Sequence, residues 1–192
     1  MSLKERLKIF RELPQTSRCV FNDAADPEAF EKLAKRLRWT VPDDVREFFS
    51  VVNGQEWEGD TIGACCTGCY FNSVPEMEVA HSRFAEWPPT TYARSSPLPQ
   101  NPYLPHTNSY EPSWIPLASS AEQGHVVYMN PVATDQGPAG IIFWRERIDA
   151  VGPVIAIGME DLLIRLTKIY SKEPPFGVWE LPAIDPHTGE AL

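Results

Sequence analysis

The sequence predicts an α+β fold in which an antiparallel sheet has helices packed on one side. Amphipathic helical segments precede and follow a run of strand candidates. The separators between those candidates are rich in turn residues, which favours hairpins over parallel crossovers. With 192 residues, of which 43% are hydrophobic, the chain can bury a substantial core, and most of it is expected to form one domain.

The first two helices are predicted from their N-terminal signals. Ser2 and Glu5 have the spacing of a capping box and open a short basic amphipathic helix. Asp26 can cap the next helix, and Pro27 fits its first turn because no backbone donor is needed there. The apolar spacing carries this second helix to about Arg38.

The stretch VPDDVREFFSVVNGQ predicts a third helix. Pro42 is placed in its first turn, and Phe48 belongs to an apolar face with spacings of three and four residues. Asn53 and Gly54 both tolerate the left-handed conformation of a C-cap. We therefore expect the helix to stop at Asn53-Gly54.

A strand followed by a helix is predicted after this turn. The segment Asp60–Phe71 is poor in helix formers, begins after Gly59 and is read as the strand. Ser73 and Glu76 then form another capping box, which predicts a helix to about Trp87.

The second half of the chain predicts the rest of the sheet. Short apolar runs separated by turn residues predict strands, and MEDLLIRLTKIY predicts a closing amphipathic helix. The predicted strands are Trp114–Ala118, His125–Met129, Gly140–Arg147 and Val154–Ile157.

Proline content divides the chain into three parts. Residues 88–112 contain seven prolines and are expected to form an extended, mobile insertion. Residues 1–25 hold the first helix and a connection, and residues 26–170 form the main domain around that insertion. Residues 171–192 form a proline-containing tail, which is expected to wrap the surface or to be partly disordered.

The charge distribution constrains the partners. A formal net charge of -9 argues against nonspecific binding to nucleic acid or to an anionic membrane. No apolar run is long enough to cross a bilayer, so a soluble cytoplasmic protein is expected. Residues 39–82 hold eight acidic residues and one basic residue. This acidic block is either a surface for a basic partner or a solvated face that maintains solubility.

Enzyme signatures are sparse. Cys66 and Cys69 stand in CxxC spacing, but a structural zinc site usually needs four ligands. On a regular strand the two side chains would point to opposite faces, unless Thr67-Gly68 forms a turn. We read them as small buried residues of a reducing compartment, with a thiol or zinc centre as the alternative. Nucleophile-elbow, zinc-protease and phosphate-loop motifs are absent from the sequence, and no cofactor is expected.

Three stretches in order resemble the SUKH superfamily, named in part for fungal Smi/Knr cell-wall regulators. They are VPDDVREFFSVVNGQ, WIPLASSAEQGHVVYMNP and IAIGMEDLLIRLTKIY. The first resembles the family's proline-to-Asn-Gly helix, the second its paired strands, and the third its final strand and helix. Asn130-Pro131 stands where the family often has an acidic residue before proline, and the proline-rich insertion exceeds the family minimum.

The resemblance implies a non-catalytic binding protein, either a bacterial immunity protein that neutralises a toxin domain or a regulatory scaffold of the fungal kind. For an immunity protein, the acidic block suits a toxin with a basic surface. Binding of nucleic acid or insertion into a membrane is not expected, and the oligomeric state is left open. The candidate partner-binding residues are Glu56, Trp57, Glu58, Asp60, Glu76 and Glu78. The candidate structural residues are Pro42, Phe48, Asn53 and Gly54.

Overall fold

The computed structural model describes most of the chain. The described residues are 1–56, 66, 68–85, 103–104, 111–120, 124–146, 151–172 and 181–192. Within them the helices are α1 (Leu3–Arg11), α2 (Pro27–Leu37), α3 (Asp43–Phe49), α4 (Val74–Ala85) and α5 (Gly158–Tyr170). The strands are β1 (Tyr70–Phe71), β2 (Ile115–Ser119), β3 (His125–Asn130), β4 (Ile141–Glu146) and β5 (Val151–Ile157). No helix of this described part has the length and apolarity needed to span a bilayer.

The sheet is an antiparallel meander, as predicted. Its spatial order is β1-β2-β3-β4-β5, and every neighbouring pair is antiparallel. The β3–β4 hairpin keeps regular register from His125 opposite Glu146 to Asn130 opposite Ile141. The predicted strand at Asp60–Phe71 is described only at its end, as β1, because residues 57–65 and 67 lie outside the described residues.

The two faces of the sheet belong to different apolar cores. Along β3, Val127 and Met129 join the buried residues of all five helices, whereas Val126 and Tyr128 point to the opposite side. Among the described residues, the core on that opposite side contains no residue of a helix interior, and it includes Leu104 and Ile184. The predicted placement of the helices on one side is therefore confirmed.

The C-terminal residues are part of the second core. Ile184 is buried, and its backbone N–H donates to the Val154 carbonyl at the β5 edge (2.9 Å). The guanidinium of Arg165 on α5 donates to the Gly189 carbonyl (3.0 Å). Ile184 therefore covers the sheet face beside β5, whereas Leu181 belongs to the core on the helix side. The proline-rich insertion, apart from residues 103–104 and 111–112, lies outside the described residues.

Helix α1 is anchored to the domain by its apolar face and by an ion pair. Ser2 and Glu5 form the predicted capping box, with the Glu5 carboxylate accepting from the Ser2 backbone N–H (2.8 Å). The buried side chains of α1 are Leu3, Leu7 and Phe10. Next to this face, Arg6 pairs with Glu160 of α5 (2.7 Å). Because α1 packs on α3 and α5, it extends the same helical layer.

A side chain of α3 caps the N-terminus of α5. The Asp44 carboxylate accepts a hydrogen bond from the Met159 backbone N–H (2.6 Å) through one oxygen. Its other oxygen accepts from Val45 N–H within α3 (2.8 Å). A carboxylate is favoured at a helix N-terminus because it satisfies an orphan donor and complements the helix dipole. Asp44 therefore joins two helices through residues that are 115 positions apart in the sequence.

The predicted limits of the third helix were wrong. Pro42 is the N-cap of α3 and not part of its first turn, and the helix ends at Phe49 with Ser50 as C-cap. Asn53-Gly54 lies beyond that end. The reason is tertiary pairing, because the chain after the helix is extended and bonds to two other segments. Asn22 N–H donates to the Gly54 carbonyl (3.1 Å), and Gln55 N–H donates to the Phe71 carbonyl (2.9 Å).

Gly54 is required by its conformation and by its surroundings. Its φ of +73° lies in the left-handed region that favours glycine. A Cβ at this position would lie 2.6 Å from the Phe71 carbonyl oxygen and also against the backbone of Asn72 and Ser73. The obstructing atoms are backbone, so a side chain here forces the two segments apart.

The end of the proline-rich insertion is held by two aromatic side chains. The Pro112 carbonyl accepts from the indole N–H of Trp39 (3.1 Å) and lies 3.2 Å from Nε2 of His81. The Trp39 and His81 rings also meet edge to face at 5.5 Å. Burial lowers the pKa of His81, and the hydrogen bond to Pro112 opposes that effect in part.

We expect Gly54→Ala to destabilise the fold more than Gly189→Ala. Both glycines have a φ of +73°, but no atom lies within 4 Å of a Cβ at Gly189. Gly189→Ala should cost about 1 kcal/mol for the left-handed conformation alone. Gly54→Ala should cost about 1–3 kcal/mol more, because the methyl group overpacks against backbone. Urea denaturation measures both, and equal losses would show that the close approach contributes nothing.

The buried histidine makes the fold sensitive to mild acid. The pKa of His81 is lower in the folded state than the ordinary value of about 6.5. The stability that the neutral His81 ring contributes is thus fully present above the pKa of the unfolded state. It is lost as pH falls toward the pKa of the folded state. Urea midpoints should decrease from about pH 7 to about pH 5, and His81→Gln should reduce that decrease. His187→Gln is the control, because His187 is exposed and contacts a carbonyl in the same way (3.2 Å to Gln136). An equal effect of both substitutions would contradict this assignment.

Candidate functional site

The predicted acidic surface begins at a rigid base. Gln55 is buried, and besides its backbone bond to Phe71 its side-chain oxygen accepts from Phe71 N–H (3.1 Å). The neighbouring Glu56 N–H donates to the Val20 carbonyl (2.9 Å), and Phe21 bridges Gln55 in an antiparallel sense. The segments around Val20 and Gln55 therefore extend the sheet beyond β1. Glu56 is exposed and projects from this edge.

Three of the predicted partner-binding residues lie outside the described residues: Trp57, Glu58 and Asp60. The structure fixes where their segment departs, because Glu56 is bonded to Val20. The expectation that these residues contact a partner remains a prediction.

Glu76 and Glu78 have intramolecular roles on α4. The Glu76 carboxylate accepts from both the backbone N–H and the hydroxyl of Ser73, each at 2.7 Å, so one half of the predicted capping box forms. Glu78 pairs with Arg36 of α2 at 2.6 Å. Both pairs are at least partly exposed, so each contributes little stability and remains accessible.

Asn53 brings Glu56 and the start of α4 close together. Its side-chain oxygen accepts from Val74 N–H at the first residue of α4 (2.8 Å). Its backbone N–H donates to the Asp23 carbonyl (2.9 Å). The predicted structural residue Asn53 therefore holds α4 through its side chain and the segment before α2 through its backbone. The predicted residue Phe48 is buried in the helical core.

Cys66 and Cys69 face the same side, because they form an antiparallel bridge with each other. Each cysteine N–H donates to the other's carbonyl (2.9 and 2.8 Å), and Gly68 has a φ of +75°. An antiparallel bridge of this kind places the two side chains on one face. The regular-strand expectation was therefore wrong, and the open possibility of a turn is what the structure shows.

The chemical environment of this pair disfavours thiolates. Both cysteines are buried in the helical core. Burial raises the pKa of the Cys69 thiol to about 12 and raises that of Cys66 well above its ordinary value. Because the thiolate is the nucleophile and the metal ligand, the pair is suited to packing at neutral pH.

The remaining metal and redox observations concern other residues. Within the described ranges, no group of three or more His, Cys, Asp or Glu side chains is arranged to hold a metal ion. Cys19 is disulfide-bonded, unlike Cys66 and Cys69. The expectation that the cysteines are reduced is therefore wrong for Cys19.

A cleft beside α1 was missed by the sequence analysis. Its volume is about 550 Å³, and Leu7 and Val51 form apolar parts of its lining. Lys4, Lys8 and Arg11 of α1 also line it, together with Glu5 and Glu12. The sequence did contain a signal for this basic face of α1. Lys4, Lys8 and Arg11 stand at i, i+4 and i+7, and residues with that spacing share one side of a helix.

A comparison with protein-family models identifies the domain. The model of the SMI1 / KNR4 family (SUKH-1) matches residues 24–165, which is more than half of the chain. The matched range begins just before α2 and ends within α5, so α1 and residues 181–192 lie outside it. A search of curated proteins gave no match. With this family match and the confirmed α+β meander, the chain belongs to the SMI1 / KNR4 (SUKH-1) family.

Proposed function

We propose that this protein is a non-catalytic immunity-type protein that neutralises a toxin domain by binding it directly in the cytoplasm. The family match over residues 24–165 is the observation that carries the proposal. The acidic block gives it a physical basis, since residues 39–82 hold eight acidic residues and one basic residue. Toxins that act on nucleic acid carry basic surfaces, and a complementary acidic surface steers their encounter.

The described geometry supports an interface centred on Glu56. This residue is exposed, and its backbone is bonded to Val20 beside the buried Gln55. A side chain that departs from a fixed base loses less conformational freedom on binding than one on a free loop. Glu76 lies in the first turn of the helix that follows β1, and β1 pairs with Gln55. Glu56 and Glu76 thus lie on neighbouring elements, which supports the proposal that they share one surface.

A binding role is also consistent with the cysteine pair. A thiol enzyme needs an accessible, low-pKa cysteine, whereas Cys66 and Cys69 are buried and their thiol pKa values are raised. The environment of these two cysteines therefore supports a role in packing and gives no support to a role in thiol catalysis.

The acidic residues and the aromatic residue should have different kinetic effects on toxin binding. Reversing Glu56, Glu58 and Asp60 to lysine should slow association and weaken its salt dependence, because charges at the rim steer the encounter. Trp57→Ala should accelerate dissociation, at a cost of about 2 kcal/mol for a buried aromatic anchor. Surface plasmon resonance at low and high salt, with the toxin domain encoded beside this chain's gene, measures both rates.

A matched control separates the local surface from the net charge. Reversing Glu28, Asp135 and Glu190 changes the net charge by the same amount at exposed positions on other elements. The control should leave association largely unchanged. If all variants keep the wild-type rates while circular dichroism shows that they are folded, the acidic block is a solvated face and the proposed interface is wrong.

Replacing both Cys66 and Cys69 with serine should lower stability and leave toxin binding intact. Each substitution places a hydroxyl in a buried site, with a cost of about 1–3 kcal/mol if it finds no partner. The double alanine variant is the control for hydroxyl burial. Thermal denaturation and toxin titration measure the two effects, and elemental analysis should find no stoichiometric metal. Lost binding in the folded alanine variant, or one equivalent of zinc in the wild type, would contradict the structural role.

A further inference from the structure

We propose that the cleft beside α1 is a second recognition site, which binds an acidic segment of another protein. The site is separate from the acidic surface of the proposed function and has the opposite charge. Residues 1–38 hold nine of the 17 basic residues of the chain but six of its 26 acidic residues. The cleft therefore lies in the basic part of an acidic protein.

The cations that line the cleft are available to a ligand. Lys4 has no carboxylate within ion-pair distance among the described residues. Lys8 approaches Glu12 at 3.9 Å with both side chains largely exposed, a pair that contributes little. The Arg11 guanidinium lies 5.4 Å from the centre of the Phe21 ring, a cation–π contact that positions it without neutralising it.

The acidic residues near the cleft are partly committed to local contacts. Hydrogen bonds from the Ser2 backbone N–H and hydroxyl lower the pKa of the Glu5 carboxyl, so that carboxylate is held at the helix cap. On the α3 side, the Glu47 carboxylate accepts from the Lys4 backbone N–H (3.3 Å). Lys4, Lys8 and Arg11 are all exposed to an incoming carboxylate, and these cations outnumber the two glutamates of the lining.

The shape of the cleft fits a short peptide segment. A volume of about 550 Å³ lies in the range of small-ligand sites. Leu7 is fully buried, so the accessible apolar surface of the floor comes from the half-buried Val51. An occupant that combines carboxylates with one apolar side chain would satisfy both the rim and the floor.

The cleft is also pre-organised. Helix α1 lies outside the range matched by the family model and packs against α3 and α5 of the family domain. Its buried apolar face and the Arg6–Glu160 pair fix its position. The cations are therefore held on a rigid element, which limits the entropy lost on binding. The added helix creates a site that the matched family domain does not contain by itself.

An acidic peptide with spaced leucines, Ac-EELEELEE-NH2, tests the site on the whole purified protein. Titration followed by amide NMR shifts should perturb α1 and Val51. Lys4→Glu with Lys8→Glu should weaken binding about tenfold or more, and Lys4→Gln with Lys8→Gln should weaken it less. The matched control is Lys35→Glu with Lys172→Glu, an equal charge change at exposed positions on α2 and after α5, and it should keep the wild-type affinity.

Four results would overturn the inference. The first two are no perturbation up to ~1 mM peptide and a perturbation that survives both Lys4/Lys8 variants. The other two are equal binding in this cleft of a peptide with lysine in place of glutamate, and dimerisation in sedimentation that Lys4→Glu with Lys8→Glu abolishes. The last would identify a second copy as the occupant. Because the probe is not a toxin, failure here leaves the acidic-surface proposal unaffected. Failure of the toxin experiment likewise leaves this one unaffected.

Discussion

The structure depends on the close approach of two backbone segments at Gly54. At this point the chain leaves the helical layer and joins the sheet edge, because Gln55 pairs with Phe71 and Asn53 holds the first residue of α4. The contact has no room for a side chain, so it depends on the amino acid that has none. The end of α3, the sheet edge and the start of α4 are therefore positioned together, and the base of the acidic surface follows from them.

Local signals in the sequence predicted much of the fold. The capping residues Ser2, Asp26 and Ser73 act within one turn of their own helices, so each helix began within about one residue of the expected position. The end of α3 was not predictable in this way. Asn53-Gly54 has the composition of a helix stop, yet its conformation is set by pairing with segments some thirty residues before and seventeen after it. A single sequence does not show such long-range pairing.

For the candidate site too, the features set by local sequence were predictable and those set by long-range contacts were not. The run of acidic residues was visible in the sequence, but the pairing of Glu78 with Arg36 of another helix was not. The sequence also did not predict that other residues cover the sheet face opposite the helices. Leu104 and Ile184, from the insertion and the tail, are buried against it. The described part of this sheet face is thus covered by residues that are far apart in the sequence.

The Asp44 carboxylate that caps α5 has a consequence for how the chain is made. The ribosome synthesises α3 long before Met159, because the two bonded residues are 115 positions apart. During that interval the Asp44 carboxylate lacks the Met159 N–H as a donor. Until they meet, the first turn of α5 keeps an unsatisfied amide and the nascent domain lacks its closing helix. The helical layer can consolidate only after Met159 has been synthesised, so a chain terminated before residue 159 should remain a substrate for chaperones and proteases.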